Sequence, residues 1–310
     1  MGVAELNKPR PLLGRFRETL RQVRKNWVAY LFLTPGLIHF VIFTLFAVGF
    51  AFYISFHKWN IIQPDKPFVG LDNYVRLFHD PRFSRAVINT LTFLLGVPLN
   101  LASGLAVALL LNTKVRGQGL YRTLYYIPVV TPLVVSSIFW KWVYQGDYGL
   151  LNYYLLKLGL IHEKIVWLAD PNLALPALII MGIWGGTGAT MVIYLAGLQS
   201  IPEEMYDAAK VDGASSFQRL IYVTIPLLAP TTFFLFVTNV IGTFQIFTQI
   251  YIMTSGGPLN RTTTIGYYLY DKAFRQLDMG YATAMAFALF AMIFVFTLFQ
   301  MKFTRGDVEY

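Results

Sequence analysis

The chain of 310 residues has no cysteine and little charge: 13% of its residues are Asp, Glu, Lys or Arg, while 56% are hydrophobic. An ordinary soluble domain carries roughly twice that share of charge, which leaves no room for a separate water-facing domain. Without thiols there are no disulfides and no thiolate metal sites. The sequence also lacks a G-x-x-x-x-G-K-[ST] phosphate loop, an H-E-x-x-H metal helix and a G-x-S-x-G nucleophile turn. It therefore has neither the usual cradle for ATP nor the reactive groups of a membrane-embedded hydrolase, and we expect no enzyme in this chain. A formal charge of +9 would suggest nucleic acid only if basic residues interleaved with stacking aromatics, which they do not.

The basic residues gather instead before the first apolar run, as Lys8, Arg10, Arg15, Arg17, Arg21, Arg24 and Lys25. A segment of this kind is held on the cytoplasmic side of a membrane. Within it Leu12, Phe16, Leu20, Val23 and Trp27 recur every three or four residues, so residues 1–26 are expected to form an amphipathic interfacial helix.

Six stretches are free of Asp, Glu, Lys and Arg: 27–57, 86–113, 123–140, 171–202, 220–260 and 279–301. At about 1.5 Å per residue each can cross roughly 30 Å of hydrocarbon. The fifth is longer, but Pro226 and Pro230 stand near its start and Ser255-Gly256-Gly257-Pro258 closes it, which argues for one crossing. The expectation is an all-α integral membrane protein with six transmembrane helices at about 28–56, 86–111, 121–141, 172–197, 227–253 and 279–302. Residues 27–310 then form one membrane domain, and both termini face the cytoplasm.

Ion-coupled carriers place ionisable groups near the bilayer midplane. Here only His39 lies inside one of the six expected spans as a titratable group of that kind, and a lone histidine reads more simply as a hydrogen-bonding contact between helices. If this chain moves a solute, the energy enters through another subunit or the movement is passive. Neutral polar groups concentrate in two runs. The fourth has Gly182, Gly185, Gly186, Thr187 and Gly188, where Gly182 and Gly186 form a G-x-x-x-G pair suited to close helix packing. The fifth has Thr238, Asn239, Gly242, Thr243, Gln245, Thr248 and Gln249, with Asn239, Gly242, Thr243 and Ile246 on one helical face. That face either lines a wet cavity for a neutral hydroxylated cargo such as a sugar, or it is packing glue. A phosphorylated cargo would want a cation.

Between these runs, Ser200-Ile201-Pro202-Glu203 reads as a helix start, with Ser200 as cap and Glu203 closing a capping box. The helix should reach Asp212, end on Gly213 in a left-handed conformation, and be followed by a second short helix capped by Ser216 before Pro226. Ile201, Met205, Ala208 and Ala209 would give a small apolar surface, with Glu203, Glu204, Asp207 and Lys210 solvated. Such a knob suits docking into a partner's groove, though a plain surface loop fits equally.

Tyr206-Asp207-Ala208-Ala209, three residues, Gly213, nine residues and Val223-Thr224-Ile225-Pro226 resemble the EAA loop of binding-protein-dependent ABC importer permeases, E-A-A-x3-G-x9-I-x-L-P. The spacing is kept throughout. Asp207, Val223 and Ile225 depart from the pattern but keep charge and apolar character. Tyr30-Leu31-Phe32-Leu33-Thr34-Pro35-Gly36, Phe68-Val69-Gly70-Leu71-Asp72-Asn73-Tyr74, Tyr125-Tyr126-Ile127-Pro128 and Thr254-Ser255-Gly256-Gly257-Pro258 extend the resemblance to the maltose-type carbohydrate branch, first-permease subunit.

That resemblance implies a coupling helix within 200–226, with Glu203, Glu204, Tyr206, Asp207, Ala208, Ala209, Asp212, Gly213 and Pro226 at the contact with an ATP-binding subunit. It further implies a second homologous permease, two ATP-binding subunits that hold ATP and Mg outside this chain, an extracytoplasmic solute-binding protein, and location in the cytoplasmic membrane. The sugar, a di- or oligosaccharide, would be held near Gly182, Gly186, Asn239, Gly242 and Thr243, a face that Ile246 extends. The alternatives are a glycerol-3-phosphate or other polyol importer, and a stand-alone channel.

Overall fold

The computed structural model describes residues 25–113 and 116–303, so the interfacial helix expected through Leu12, Phe16, Leu20 and Val23 lies outside the described residues. Among the described residues the structure is helical, with isolated bridges between His57 and Phe68 and between Asn60 and Asp278, and no strand. Packing divides the chain between Ile54 and Ser55. Before that division runs helix α1, Trp27–Ser55, which includes Pro35 and a π-helical stretch at Phe40–Phe46.

The second unit begins with α2 (Asp72–His79), α3 (Pro81–Phe93) and α4 (Gly96–Leu111). Asp80 caps α3, its Oδ1 accepting from the N–H groups of Arg82 at 2.9 Å and Phe83 at 3.3 Å, while Pro81 occupies a position whose N–H needs no partner. The span expected over 121–141 is built from two helices, α5 (Gln118–Val130) and α6 (Leu133–Val143), bent by 98°. Pro132 offers no donor and forces the residue before it out of the helical region, leaving Thr131 at φ −77, ψ 127.

A short α7 (Leu150–Lys157) precedes the central helix α8 (Ala174–Gln199), which packs on α4, on α5 and on α11 (Ala229–Phe244). Small residues allow this closeness: a Cβ at Gly104 would stand 2.4 Å from Thr190 Cγ2, and one at Gly188 would stand 2.1 Å from the Tyr125 carbonyl oxygen. Val97, Leu101, Met191, Tyr194, Leu235 and Phe244 form the core between α4, α8 and α11.

Helix α9 (Glu203–Val211) follows, but not with the expected cap. Because α8 continues to Gln199, Ser200 belongs to its end and donates to the Gly197 carbonyl at 2.7 Å; Pro202 takes the cap position of α9. Gly213 is left-handed, at φ +77, as expected. The next helix, α10 (Ser216–Leu227), is capped by Ser215 rather than Ser216, through a reciprocal box with Gln218. A bend of 64° separates α10 from α11.

The span expected over 227–253 is interrupted. Helix α11 stops at Phe244 and a separate α12 covers Thr248–Met253. The Ile246 carbonyl, released from the helical ladder, accepts from Thr264 Oγ1 at 2.8 Å, the kind of substitute partner that broken backbone needs in an apolar setting. Helix α13 (Ile265–Tyr270) continues into a π-turn at Asp271–Arg275, and α14 (Met279–Phe303) ends the described chain. Among the described residues, by length and composition, four helical stretches can each cross a membrane, Trp27–Ser55, Pro81–Leu111, Ala174–Gln199 and Met279–Lys302; the pairs α5–α6 and α10–α11 bring the count to as many as six.

Candidate functional site

Between α4, α8, α11 and α12 lies a cavity of about 370 Å³, and its wall contains Gly182, Gly186, Asn239, Gly242, Thr243 and Ile246 together. In the sequence Gly182 and Gly186 read as a packing pair and the face of Asn239, Gly242, Thr243 and Ile246 as cavity wall or packing glue; in the fold the space around each glycine differs. A Cβ at Gly242 would meet nothing within 4 Å, and one at Gly182 would meet only Gln249 Nε2, at 3.9 Å. Both glycines therefore open the cavity. At Gly186 a Cβ would stand 2.6 Å from Asn100 Nδ2, so this glycine serves the contact between α8 and α4.

Among the described residues the wall carries no Asp, Glu, Lys, Arg or His. Its polar groups are amides and hydroxyls, several already committed within the chain. Asn239 Nδ2 donates to the Leu235 carbonyl at 2.8 Å and Thr243 Oγ1 to the Asn239 carbonyl at 2.8 Å. These bonds use the Thr243 proton and one of the two Asn239 N–H groups, which leaves Asn239 with a donor and an acceptor and Thr243 with an acceptor. The sequence face missed Asn100 and Thr190, because α4 and α8 come together only in the fold. Asn100 spans the helices, donating to the Ile183 carbonyl at 3.1 Å and accepting from Thr190 Oγ1 at 2.7 Å. Gln249 also lines the cavity. A second cavity of about 500 Å³ lies by the α5–α6 bend, and Gly182, Gly186 and Gln249 are common to both walls.

The 200–226 segment forms a separate surface. Glu203, Glu204, Asp207, Ala208, Asp212, Gly213 and Pro226 are exposed, while Tyr206 and Ala209 are half-buried. Asp207 pairs with Lys210 at 2.7 Å, and the Tyr206 and Thr224 hydroxyls, 3.2 Å apart, tie α9 to α10. The apolar surface differs from the one expected. Ile201 is buried in the core, and Val211, Phe217 and Tyr222, with exposures of 88%, 71% and 76%, join Met205 outside. Among the described residues no group of His, Asp and Glu is arranged to hold a metal ion.

Residues 100–306 match the family model described as binding-protein-dependent transport system inner membrane component. The chain is 37% identical to the probable ABC transporter permease protein YesP of Bacillus subtilis, over 94% of each chain. It is 34% identical to the trehalose/maltose transport system permease protein MalF of Thermococcus litoralis, over 91% of this chain and 95% of that one. Among solved structures it is similar, at a TM-score of 0.78 and 25% identity over 92% of this chain and 96% of the other, to a chain of the bacterial alginate ABC transporter in complex with alginate pentasaccharide-bound periplasmic protein. The chain belongs to the family of inner membrane components of binding-protein-dependent transport systems.

Proposed function

We propose that this chain is a permease subunit of an ATP-binding-cassette importer that carries a di- or oligosaccharide into the cytoplasm by alternating access. The observation that carries the reading is the uncharged cavity: amide and hydroxyl oxygens beside open glycine positions, with no cation to meet a phosphate. The trehalose/maltose relative supports a neutral saccharide, and the structural neighbour, whose alginate is an acidic saccharide, supports a saccharide cargo as a class.

In this reading the two bent pairs each count as one crossing, giving six, with both termini in the cytoplasm. The α9–α10 knob is the coupling element, and its exposed apolar side chains together with Glu203, Glu204, Asp207 and Gly213 meet an ATP-binding subunit. Two such subunits bind ATP and Mg, a second permease completes the pathway, and an extracytoplasmic binding protein delivers the sugar. Gly182 and Gly242 set the width of the cavity, Asn239 presents its remaining amide donor and its acceptor to the cargo, and Thr243 presents an acceptor.

The test is ATP hydrolysis by the complex reconstituted with its neighbouring permease, ATPase and binding-protein genes, measured against a panel of neutral saccharides and glycerol 3-phosphate. Stimulation by one neutral saccharide, with the half-saturating concentration raised about tenfold in Asn239→Ala, is the expected result; tenfold corresponds to about 1.4 kcal/mol. Stimulation by glycerol 3-phosphate alone would refute the neutral cargo. Transport by the purified chain without any ATPase would refute the importer.

A further inference from the structure

The buried amides of this protein have their polar atoms engaged, with few exceptions. Asn73 donates to the Ser55 and His57 carbonyls, Asn89 to those of Asn260 and Thr263, and Asn152 to those of Gly146 and Ile165 while accepting from Trp167 Nε1. Asn100 is held at both ends, as described above. Gln249 is different. Only 6% of it is exposed, yet among the described residues its amide makes no hydrogen bond. Gln300, near the end of α14, is also without a partner but lines neither cavity.

The break in the fifth span decides what faces inward here. An uninterrupted helix would bring both Gln249 and Ile250, three and four residues beyond Ile246, toward the cavity face. With backbone released at 245–247 and the Ile246 carbonyl held by Thr264, Ile250 is instead fully buried in the core, and Gln249 lies in the walls of both cavities. Its Nε2 points toward the open position at Gly182. Its amide atoms are not sealed inside the protein as those of Gln300 are; they open to the cavities, where a ligand can supply the bonds that the chain does not.

We propose that Gln249 is a cargo-binding residue at the divide between the two cavities, its amide donating to one hydroxyl and accepting from the adjacent hydroxyl of a neutral sugar ring. An amide is matched to a vicinal diol in this way because it carries a donor and an acceptor side by side. The proposal deepens the sugar-importer reading and rests on it.

The experiment uses the whole reconstituted complex, the neutral saccharide that stimulates it best and the monodeoxy analogues of that saccharide. The wild-type complex should discriminate against the analogues lacking either of two neighbouring hydroxyls. Gln249→Leu removes the amide at similar volume; the complex should assemble, its half-saturating concentration should rise about tenfold, and its discrimination against those two analogues should vanish. Gln249→Asn, which keeps a shorter amide, should raise the half-saturating concentration as well, and it decides the matter if the leucine variant does not assemble. Half-saturation and analogue ranking equal to wild type in the assembled variants would overturn the role of Gln249 while leaving the importer intact. A wild-type complex that no neutral saccharide stimulates would overturn the cargo class and the proposal with it.

Discussion

Gly182 and Gly186 look equivalent in the sequence, four residues apart on one helix, but side chains added there would meet different surroundings. A valine at 186 drives into Asn100 Nδ2, only 2.6 Å from the first added carbon, and disturbs the amide that joins Ile183 and Thr190. We expect Gly186→Val to destabilise the chain by about 1–3 kcal/mol, the scale of overpacking, and to lower the yield of assembled complex. Gly182→Val enters open space. It should leave the thermal midpoint of the complex within error of wild type while cutting saccharide uptake severely, because the added bulk occupies the cavity. Equal loss of assembly in both variants would refute the separation of roles. The G-x-x-x-G spacing announced a close helix approach, but it did not tell which glycine makes it; that depends on Asn100, contributed by another helix.

At the scale of elements, the helix that stops at Gly213 was legible because its stop depends on local chemistry. A φ of +77 suits glycine, costs alanine about 1 kcal/mol and is closed to proline, whose ring fixes φ near −65°. Gly213→Pro should therefore reorient α10 against α9 and abolish uptake, with the chain still present in the membrane fraction by immunoblot. Uptake at the wild-type rate would sink the coupling role of this knob. The caps were less legible. Ser200, Ser215 and Ser216 are alike as residue types, and only the length of α8 decides that Ser200 closes one helix rather than opening the next. The break after Phe244 was equally hidden, since it depends on a hydroxyl donor from Thr264, eighteen residues further along. Thr264→Val, which loses that donor and also the acceptor that caps α13 at the Tyr267 N–H, should raise the half-saturating saccharide concentration, whereas Thr264→Ser, which keeps both, should match wild type.

At the scale of the molecule, the apolar runs were readable because a lipid solvent demands long uncharged stretches, whereas the polar clamp that joins distant parts of the chain left no local trace. Asp80 Oδ2 accepts from the Tyr268 and Tyr281 hydroxyls at 2.6 and 2.7 Å, across sequence separations of 188 and 201 residues. Alongside, Arg82 pairs with Asp271 at 3.0 Å and Arg76 with Asp278 at 2.9 Å. Arg76 lies over the Tyr281 ring, and Lys272 over the rings of Tyr268 and Tyr281. Burial pushes the Asp80 carboxyl up, but the two phenols and the N–H groups of Phe83 and Arg82 together outweigh it, so its pKa lies below the ordinary 3.8. A carboxylate depressed in the folded state contributes stability that is complete above 3.8 and is lost as pH falls below it, because the unfolded chain takes up the proton first. Asp80→Asn keeps a competent helix cap through its remaining oxygen, but it removes the charge and puts an amide donor where Oδ2 accepts from both phenols. At neutral pH the variant complex should melt about 3 °C below wild type, the shift expected for a loss near 1 kcal/mol in a chain of this size. The gap should begin to narrow below pH 3.8 and close once the pH is under the depressed folded-state value, since a protonated Asp80 resembles the asparagine. A gap of constant size across that range would mean that the charge on Asp80 is not what holds the two halves of the clamp together.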